Sequence, residues 1–449
     1  MKFRKLLLVC TVLITSFFAT YQVKAQATKN LTLQEAITLS LKNSKQLKNS
    51  RAKIDEATAA VKEAMERKLP DVNVSGSYLH LNNPHISLKS AKDSSGSNNG
   101  KQGTPKVSQA AYGIVNLSLP IYSGLRIQYG IESARYLERA TQLDAENDRE
   151  EVIQNIIDAF SNLYKAKAAA ELVKESLNQA QQRAKEFSNL EKNGLLARND
   201  LLKADLQASN TELSLLDAEN NWMLATVNMN LMLGLPEETV LIPDASSLTK
   251  PSDIKTIAEW EQLAIQNRKD ASALSFREKA AITGVKAVKG ELYPSLAITG
   301  GYVAAYIPNF LTVTNAVNLG VGVQYNIGSL WKTKSKIQQA QARVQQVQAN
   351  EDMLNDAIRL QINQAYQNVI LSQKKIEVYN KAIEQAAENY KITKNKYVNT
   401  LVTTTELLEA EVAELQAKLN FAFAKADANV AYNKLLQSAG LLNNQTENK

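Results

Sequence analysis

Hydrophobic positions along this chain follow two periods. From Ser329 to Tyr397 the period is seven: Ile362, Val369, Ile376, Ile383, Tyr390 and Tyr397 form one row, with Ala365, Ser372, Tyr379, Ala386 and Thr393 beside it. The stretch holds neither proline nor glycine, so the pattern predicts one unbroken helix with a coiled-coil-like seam. At 1.5 Å per residue it would run roughly 100 Å, more than the core of a compact domain can cover. Elsewhere the period is two. Val72, Val74, Gly76 and Tyr78 alternate with polar residues, and so do Val115, Leu117, Leu119 and Ile121. The pattern returns in Leu296, Ile298, Gly300, Tyr302 and in Leu319, Val321, Val323, Tyr325, Ile327. These segments predict half-buried strands of about ten residues, paired as two hairpins.

The repetition extends to the whole chain. A shift of 224 residues pairs Glu35 with Glu259, Asn43 with Asn267, Pro70 with Pro294 and Tyr78 with Tyr302. Past the first hairpin loop the shift becomes 206, pairing Ile121 with Ile327, Ala159 with Ala365, Leu201 with Leu407 and Gly234 with Gly440. The first copy therefore carries an 18-residue surplus between Asn82 and Ala111, including the solvated tract Asp93–Gly100. Such self-similarity marks a tandem duplication.

The predicted order follows. Residues 26–240 form a first repeat, with short helices, a hairpin at 71–122, a long helix at 125–193 and a return helix at 199–233. Residues 241–255 link the copies. Residues 256–441 form a second repeat, with a hairpin at 295–327, a long helix at 330–398 and a return helix at 404–438. A polar tail, 442–449, closes the chain. Prolines agree: the helices before the hairpins must stop ahead of Pro70 and Pro294, because the residue before a proline disfavours the helical conformation. The fold class expected is mainly α with a small β part.

Chemistry is sparse. Lys2, Arg4 and Lys5 precede an apolar run, Leu6 to Ala19, and Val23-Lys24-Ala25 offers a small-residue cleavage site, so 1–25 is expected to be a secretory signal. Cys10, the only cysteine, lies within it, which leaves the mature chain no thiol, disulfide or Cys metal site. The formal charge of +7 includes Lys2, Arg4, Lys5 and Lys24; the remaining balance is mild and gives no nucleic-acid footprint. The two histidines, His80 and His85, share one loop region, and the chain has no phosphate-binding Gly-Lys-Ser/Thr motif. Met65, Met223, Met229, Met232 and Met353 form no soft-ligand set with His or Cys. An enzyme, a cofactor and a metal site are not expected.

Four alternating strands cannot close a barrel alone, since closed barrels begin near eight strands. Left open, they expose an apolar face and two unpaired edges. An oligomer solves both problems. Three chains would give a 12-stranded β-barrel, with strands of transmembrane length and Tyr78, Tyr112, Tyr122, Tyr302, Tyr306 and Tyr325 near their ends as interface anchors. The long helices would then continue the barrel as a helical duct. The alternative reading is a structural or adhesive periplasmic coiled-coil envelope protein, which would need a continuous seam rather than helices interrupted by paired strands.

At the two helix turns the sequence resembles the TolC-type outer-membrane efflux proteins. Asn193-Gly194-Leu195-Leu196-Ala197-Arg198-Asn199-Asp200 and Tyr397-Val398-Asn399-Thr400-Leu401-Val402-Thr403-Thr404-Thr405-Glu406 carry the resemblance, together with the duplication and strand–strand–helix–turn–helix order. It implies a homotrimer in the outer-membrane lipid of a Gram-negative bacterium with a long periplasmic extension. The duct would be passive, and a periplasmic adaptor (a membrane fusion protein) would couple it to an inner-membrane efflux pump or secretion transporter. By the same resemblance, Gly194, Leu195, Leu196, Thr400, Leu401 and Val402 are adaptor-docking turns. Glu406 and Glu409 would be stacked acidic rings at the pore constriction, three residues apart on one helix face. Asp200 and Tyr397 would form a gate latch. Val402 stands where the family has an arginine of that latch, and Thr400 where it has a glycine.

Overall fold

Threonine–glutamate pairs three residues apart start three of the helices, and glycine or threonine in the left-handed region ends several. The computed structural model describes residues 28–82, 84, 107–247, 255–308 and 310–443. The expected signal at 1–25 and the Asp93–Gly100 tract lie outside the described residues, as do parts of the inter-repeat link and tail.

In chain order the elements are β1 (Thr28–Leu31), α1 (Leu33–Asn43), α2 (Lys45–Glu66), β2 (Asp71–His80), β3 (Gln109–Tyr122), α3 (Arg126–Lys192) and α4 (Arg198–Leu233). The second copy gives β4 (Val240–Pro243), α5 (Ile257–Asn267), α6 (Lys269–Lys289), β5 (Ser295–Ile307), β6 (Leu311–Gln324), α7 (Ser329–Val398) and α8 (Thr404–Ser438). Thr32 caps α1 by accepting from the Glu35 amide. Thr256 with Glu259, and Thr403 with Glu406, form full capping boxes at α5 and α8, each satisfying two otherwise orphan amides. Helix α2 stops at Glu66, and α6 gives way to a 3-10 turn at Gly290–Leu292, before the two prolines that cannot follow a helix.

The chain packs as two units, each drawing on both copies. One comprises 51–144 and 270–354 and holds a four-stranded antiparallel sheet in the order β2-β3-β5-β6. The copies join at β3–β5, where Val115 faces Tyr302 and Leu117 faces Gly300. In the helical part of this unit Ala140, Leu143 and Ala273 form a small core against Phe276. There Asp144 pairs with Arg277, and the Ser133 hydroxyl donates to the Ala280 carbonyl at 3.1 Å.

The other unit comprises 28–50, 145–269 and 355–443. Helix α3 buries Ile153, Ile156, Ile157, Phe160 and Leu163 here; α4, α7 and α8 bury Leu233, Ile362 and Leu435. Complete burial of side chains this size stabilises by about 1.5–3 kcal/mol each. Every residue of the two heptad rows on α7 is buried or half-buried. Strands β1 and β4 pair in parallel, Leu31 opposite Pro243. In both copies the short helix ends against the return helix's last turn. Asn43 donates to the Leu233 carbonyl at 2.6 Å. In the second copy Gly440, at φ +69°, sits so close that a Cβ would lie 2.8 Å from the Asn267 carbonyl carbon.

Candidate functional site: the strand sheet and the helix tips

The register of the sheet separates its two faces. Val72, Val74 and Tyr78 align with Leu117, Val115 and Ala111, then with Gly300, Tyr302 and Tyr306, and the row ends on Leu319 and Val317. This face is apolar and uncovered: Val74, Val317 and Leu319 are 77%, 76% and 81% exposed. The opposite face carries Asp71, Asn73, Ser75, Ser77, Asn116, Ser118, Thr299 and Asn318, with Gly301, Gly320 and Gly322. Leu79, Tyr112, Ile114, Val303, Ile307, Leu311 and Val313 are its large apolar members. Among the described residues nothing pairs with the outer edges of β2 and β6.

At the other site, α3 turns into α4 and α7 into α8 by the same hydrogen-bond pattern. The Leu195 amide donates to the Leu190 carbonyl at 2.8 Å, and the Leu401 amide to the Lys396 carbonyl at 2.9 Å. Each closes a Schellman turn whose key residue adopts the left-handed conformation. That residue is Gly194 (φ +73°) in one turn and Thr400 (φ +60°) in the other. A β-branched residue is strained there; the Thr400 hydroxyl donates locally to the Asn399 carbonyl at 2.7 Å. Leu195 and Leu401, the next residues, point outward at 74% and 71% exposure.

Between the hairpins lies a groove of about 1060 Å³. Leu195, Leu196, Thr400 and Val402 line it, as do Asp200 and Tyr397, so four of the six expected docking residues and both latch residues are brought to one place, while Gly194 and Leu401 are not in its lining. Asp200 and Tyr397 do not bond each other. Asp200 takes Lys203 at 3.5 Å, and Lys203 reaches the Thr405 hydroxyl at 3.2 Å. Tyr397 shares a 3.3 Å hydrogen bond with Thr404 and stacks on Phe187, ring centroids 5.6 Å apart. The tip core is Phe187, Ala204 and Leu407, with Leu196, Leu201, Tyr390 and Tyr397 packed on it. Glu406 and Glu409 are exposed on α8. Glu406 accepts from the Thr403 amide at 2.7 Å and hydroxyl at 2.9 Å. Those bonds hold its carboxyl below its ordinary value, led by the backbone one, whereas clustered acids would raise it.

Comparison with known proteins matches this arrangement. The sequence fits the family "Outer membrane efflux protein" over residues 36–235 and 260–441, the stretches that the duplication delimits. The chain belongs to the outer membrane efflux protein family. It is 21% identical over 410 residues to the outer membrane efflux protein BepC of Brucella suis, covering 88% of this chain and 83% of that protein. Its fold is similar to VceC of Vibrio cholerae, with a TM-score of 0.73 at 16% identity over 91% of this chain and 96% of that one. The Campylobacter jejuni CmeC outer membrane channel gives 0.74 at 16% identity, over 91% and 86%. This efflux protein is a component of the Gram-negative outer membrane, and its relatives are channels rather than enzymes.

One cluster of this efflux protein escapes the sequence reading. Arg183 on α3 forms an ion pair with Glu411 on α8 and donates to the Tyr390 hydroxyl on α7 at 2.8 Å. Both charged side chains are buried, at 9% and 6% side-chain exposure. Burial pushes the Glu411 carboxyl above its ordinary value, and Arg183 pulls it the other way without cancelling that effect. The signal that marks it is Arg183's place in the seam of Val173, Leu177, Ala180 and Phe187, where all other neighbours are apolar.

Proposed function

We propose that this efflux protein works as a homotrimeric, passive exit duct. Each chain gives its four strands to a 12-stranded β-barrel, β6 of one chain pairing antiparallel with β2 of the next. The observation that carries this is the sheet itself: one continuous apolar face, one mainly polar face, and two open edges of opposite direction. An uncovered apolar face of this size needs lipid, and closure is what removes sheet edges inside a bilayer. The polar face then lines the lumen.

The α3–α4 and α7–α8 hairpins form the periplasmic tip. The groove with exposed Leu195 and Leu401 beside it is the docking surface for a periplasmic adaptor, which couples the duct to an inner-membrane transporter. Gly194, Leu196, Thr400 and Val402 shape that surface. Glu409, free of a helix cap, and Glu406, held ionised by its cap, give two acidic rings at the constriction. Asp200 and Tyr397 act in the gate through Lys203 and Thr404, since they do not bond each other within a chain. No energy source resides in the duct, so transport is driven by the partner pump.

Single-channel recording in a planar bilayer, with mass measured in parallel, tests the reading. A trimer passing small, cation-preferring currents supports it. A monomer or dimer that never conducts overturns it.

A further inference from the structure

The apolar row of the sheet does not stop where β6 turns into α7. Val321 and Val323 are followed by Tyr325 and Ile327, then by Leu330 and Trp331 in the first turn of the helix, all of them exposed. Trp331 is 64% exposed, and a Cβ on Gly328 would lie 3.7 Å from its indole, so the ring folds back toward the strand. Lys332, Lys334 and Lys336 come next. We propose that this junction binds the headgroup of an anionic phospholipid, and that the lipid sits at the seam between two copies of the chain. The proposal rests on the duct reading, which puts the apolar face in lipid and joins β6 of one chain to β2 of the next.

Folding does not account for these lysines. A helix N-terminus favours acids and disfavours cations, yet α7 has no acid in its first turn. From Ser329 to Asn350 its only charges are Lys332, Lys334, Lys336 and Arg343. The first copy lacks the pattern: by the 206-residue shift the three lysines correspond to Arg126, Gln128 and Gly130, and an acid follows at Glu132. Lys336 is taken by Glu291 at 2.6 Å, whereas Lys332 and Lys334 form no ion pair among the described residues. Thr333 is buried, so the helix turns its other side outward, with Trp331 exposed between Lys332 and Lys334.

The next chain supplies the second wall. Strand β2 begins and β6 ends on the same side of the sheet, so closing the barrel brings the segment before β2 of one chain beside the β6–α7 junction of another. That segment is Arg67-Lys68-Leu69-Pro70. Glu63 holds Arg67 at 3.2 Å, Lys68 forms no ion pair among the described residues, and Leu69 is exposed. Asp71 lies on the opposite, polar face, where Asn73 donates to it at 3.3 Å. The seam thus offers an apolar strand row for acyl chains, an indole at headgroup level and three cations whose stems can lie along the apolar surface. A zwitterionic headgroup leaves those cations uncompensated, so the site selects net negative charge.

Native mass spectrometry of the full protein, delipidated and titrated with phosphatidylglycerol or phosphatidylcholine, tests this alongside heat dissociation of the trimer. Phosphatidylglycerol should bind at least about tenfold tighter than phosphatidylcholine and raise the dissociation temperature. Each lysine should contribute about fivefold, so Lys332→Gln/Lys334→Gln should weaken phosphatidylglycerol about 25-fold and Lys68→Gln about fivefold. Lys185→Gln/Lys192→Gln, which removes the same charge from exposed positions on α3, should change neither readout. Equal affinity of the wild type for both lipids overturns the site, and so does a Lys332→Gln/Lys334→Gln protein that keeps the wild-type preference. Inorganic phosphate that raises the dissociation temperature as much as phosphatidylglycerol overturns the lipid assignment. Phosphatidylglycerol affinity unchanged by Lys68→Gln overturns the seam. If the protein is a monomer in every lipid, the duct reading fails, and the lipid preference of that monomer still decides the role of the α7 lysines.

Discussion

Glu406 holds the backbone amide and the hydroxyl of Thr403 with one carboxylate oxygen, at 2.7 and 2.9 Å. A residue expected to act by its charge is therefore also a structural cap, and the two roles can be separated. Glutamine keeps the capping box and removes the charge. Glu406→Gln, combined with Glu409→Gln, should lower cation preference in bilayer reversal potentials, with melting lowered only by the charge-assisted share of the cap bonds. Thr403→Ala should do the opposite, costing about 1 kcal/mol of stability with selectivity intact. Identical reversal potentials for wild type and the double glutamine variant would remove the acidic rings from the account.

Thr400 makes its turn under strain that Gly194 avoids. Thr400→Gly should stabilise the chain by about 1 kcal/mol, the order of cost of a left-handed non-glycine residue. The reverse change, Gly194→Thr, should destabilise by a similar amount. Denaturant unfolding of both variants checks the sign; a destabilised Thr400→Gly would mean that the hydroxyl's bond to Asn399 outweighs the strain.

Leu319 and Asn318 are neighbours on β6 that point to opposite faces. A lysine on a lipid face costs about 2–4 kcal/mol at mid-bilayer, and far less on a lumen face. Leu319→Lys should therefore cut the yield of assembled protein in the outer membrane several-fold, and Asn318→Lys should not. Membrane fractionation with native gels reads the difference, and equal yields would contradict the assignment of faces.

Acid should act late on the helix caps. Glu259 and Glu406 are both held below their ordinary value, chiefly by the backbone amide each receives. Their contribution is complete above the unfolded-state value and is lost as pH falls through the lower, folded one. Glu411 has the opposite sign: the cost of burying its ionised form acts above its raised value and is relieved as pH falls through it. Melting followed by circular dichroism should thus hold steady down to the ordinary carboxylate range and drop only below it. Glu406→Gln should flatten part of that drop.

The order of the elements was legible because it is written in local signals, although β3, β5 and β6 run 13–14 residues rather than the expected ten or so. Proline at 70 and 294 forbids helix just before it, and the period-two rows mark strands whichever partners they meet. The heptad rows of α7 name the face that becomes buried, from Ile362 to Tyr397. The expected docking and latch residues came only from the family resemblance; the structure brings most of them to one groove and shows no bond between Asp200 and Tyr397.

What remained hidden depends on which helices lie side by side. Arg183 and Glu411 are 228 residues apart, and no local rule ties them. Nor does one reveal that Tyr397 reaches Thr404 while Asp200 turns to Lys203. The two faces of the sheet were implied by alternation, but the β3–β5 pairing that merges two hairpins into one surface was not. By itself the sequence determined where the chain is helix or strand and which side of each is apolar, since propensity and periodicity act over a few residues. Only the tertiary structure decided which charged groups are buried together, because desolvation and pairing depend on neighbours that the chain brings from far away.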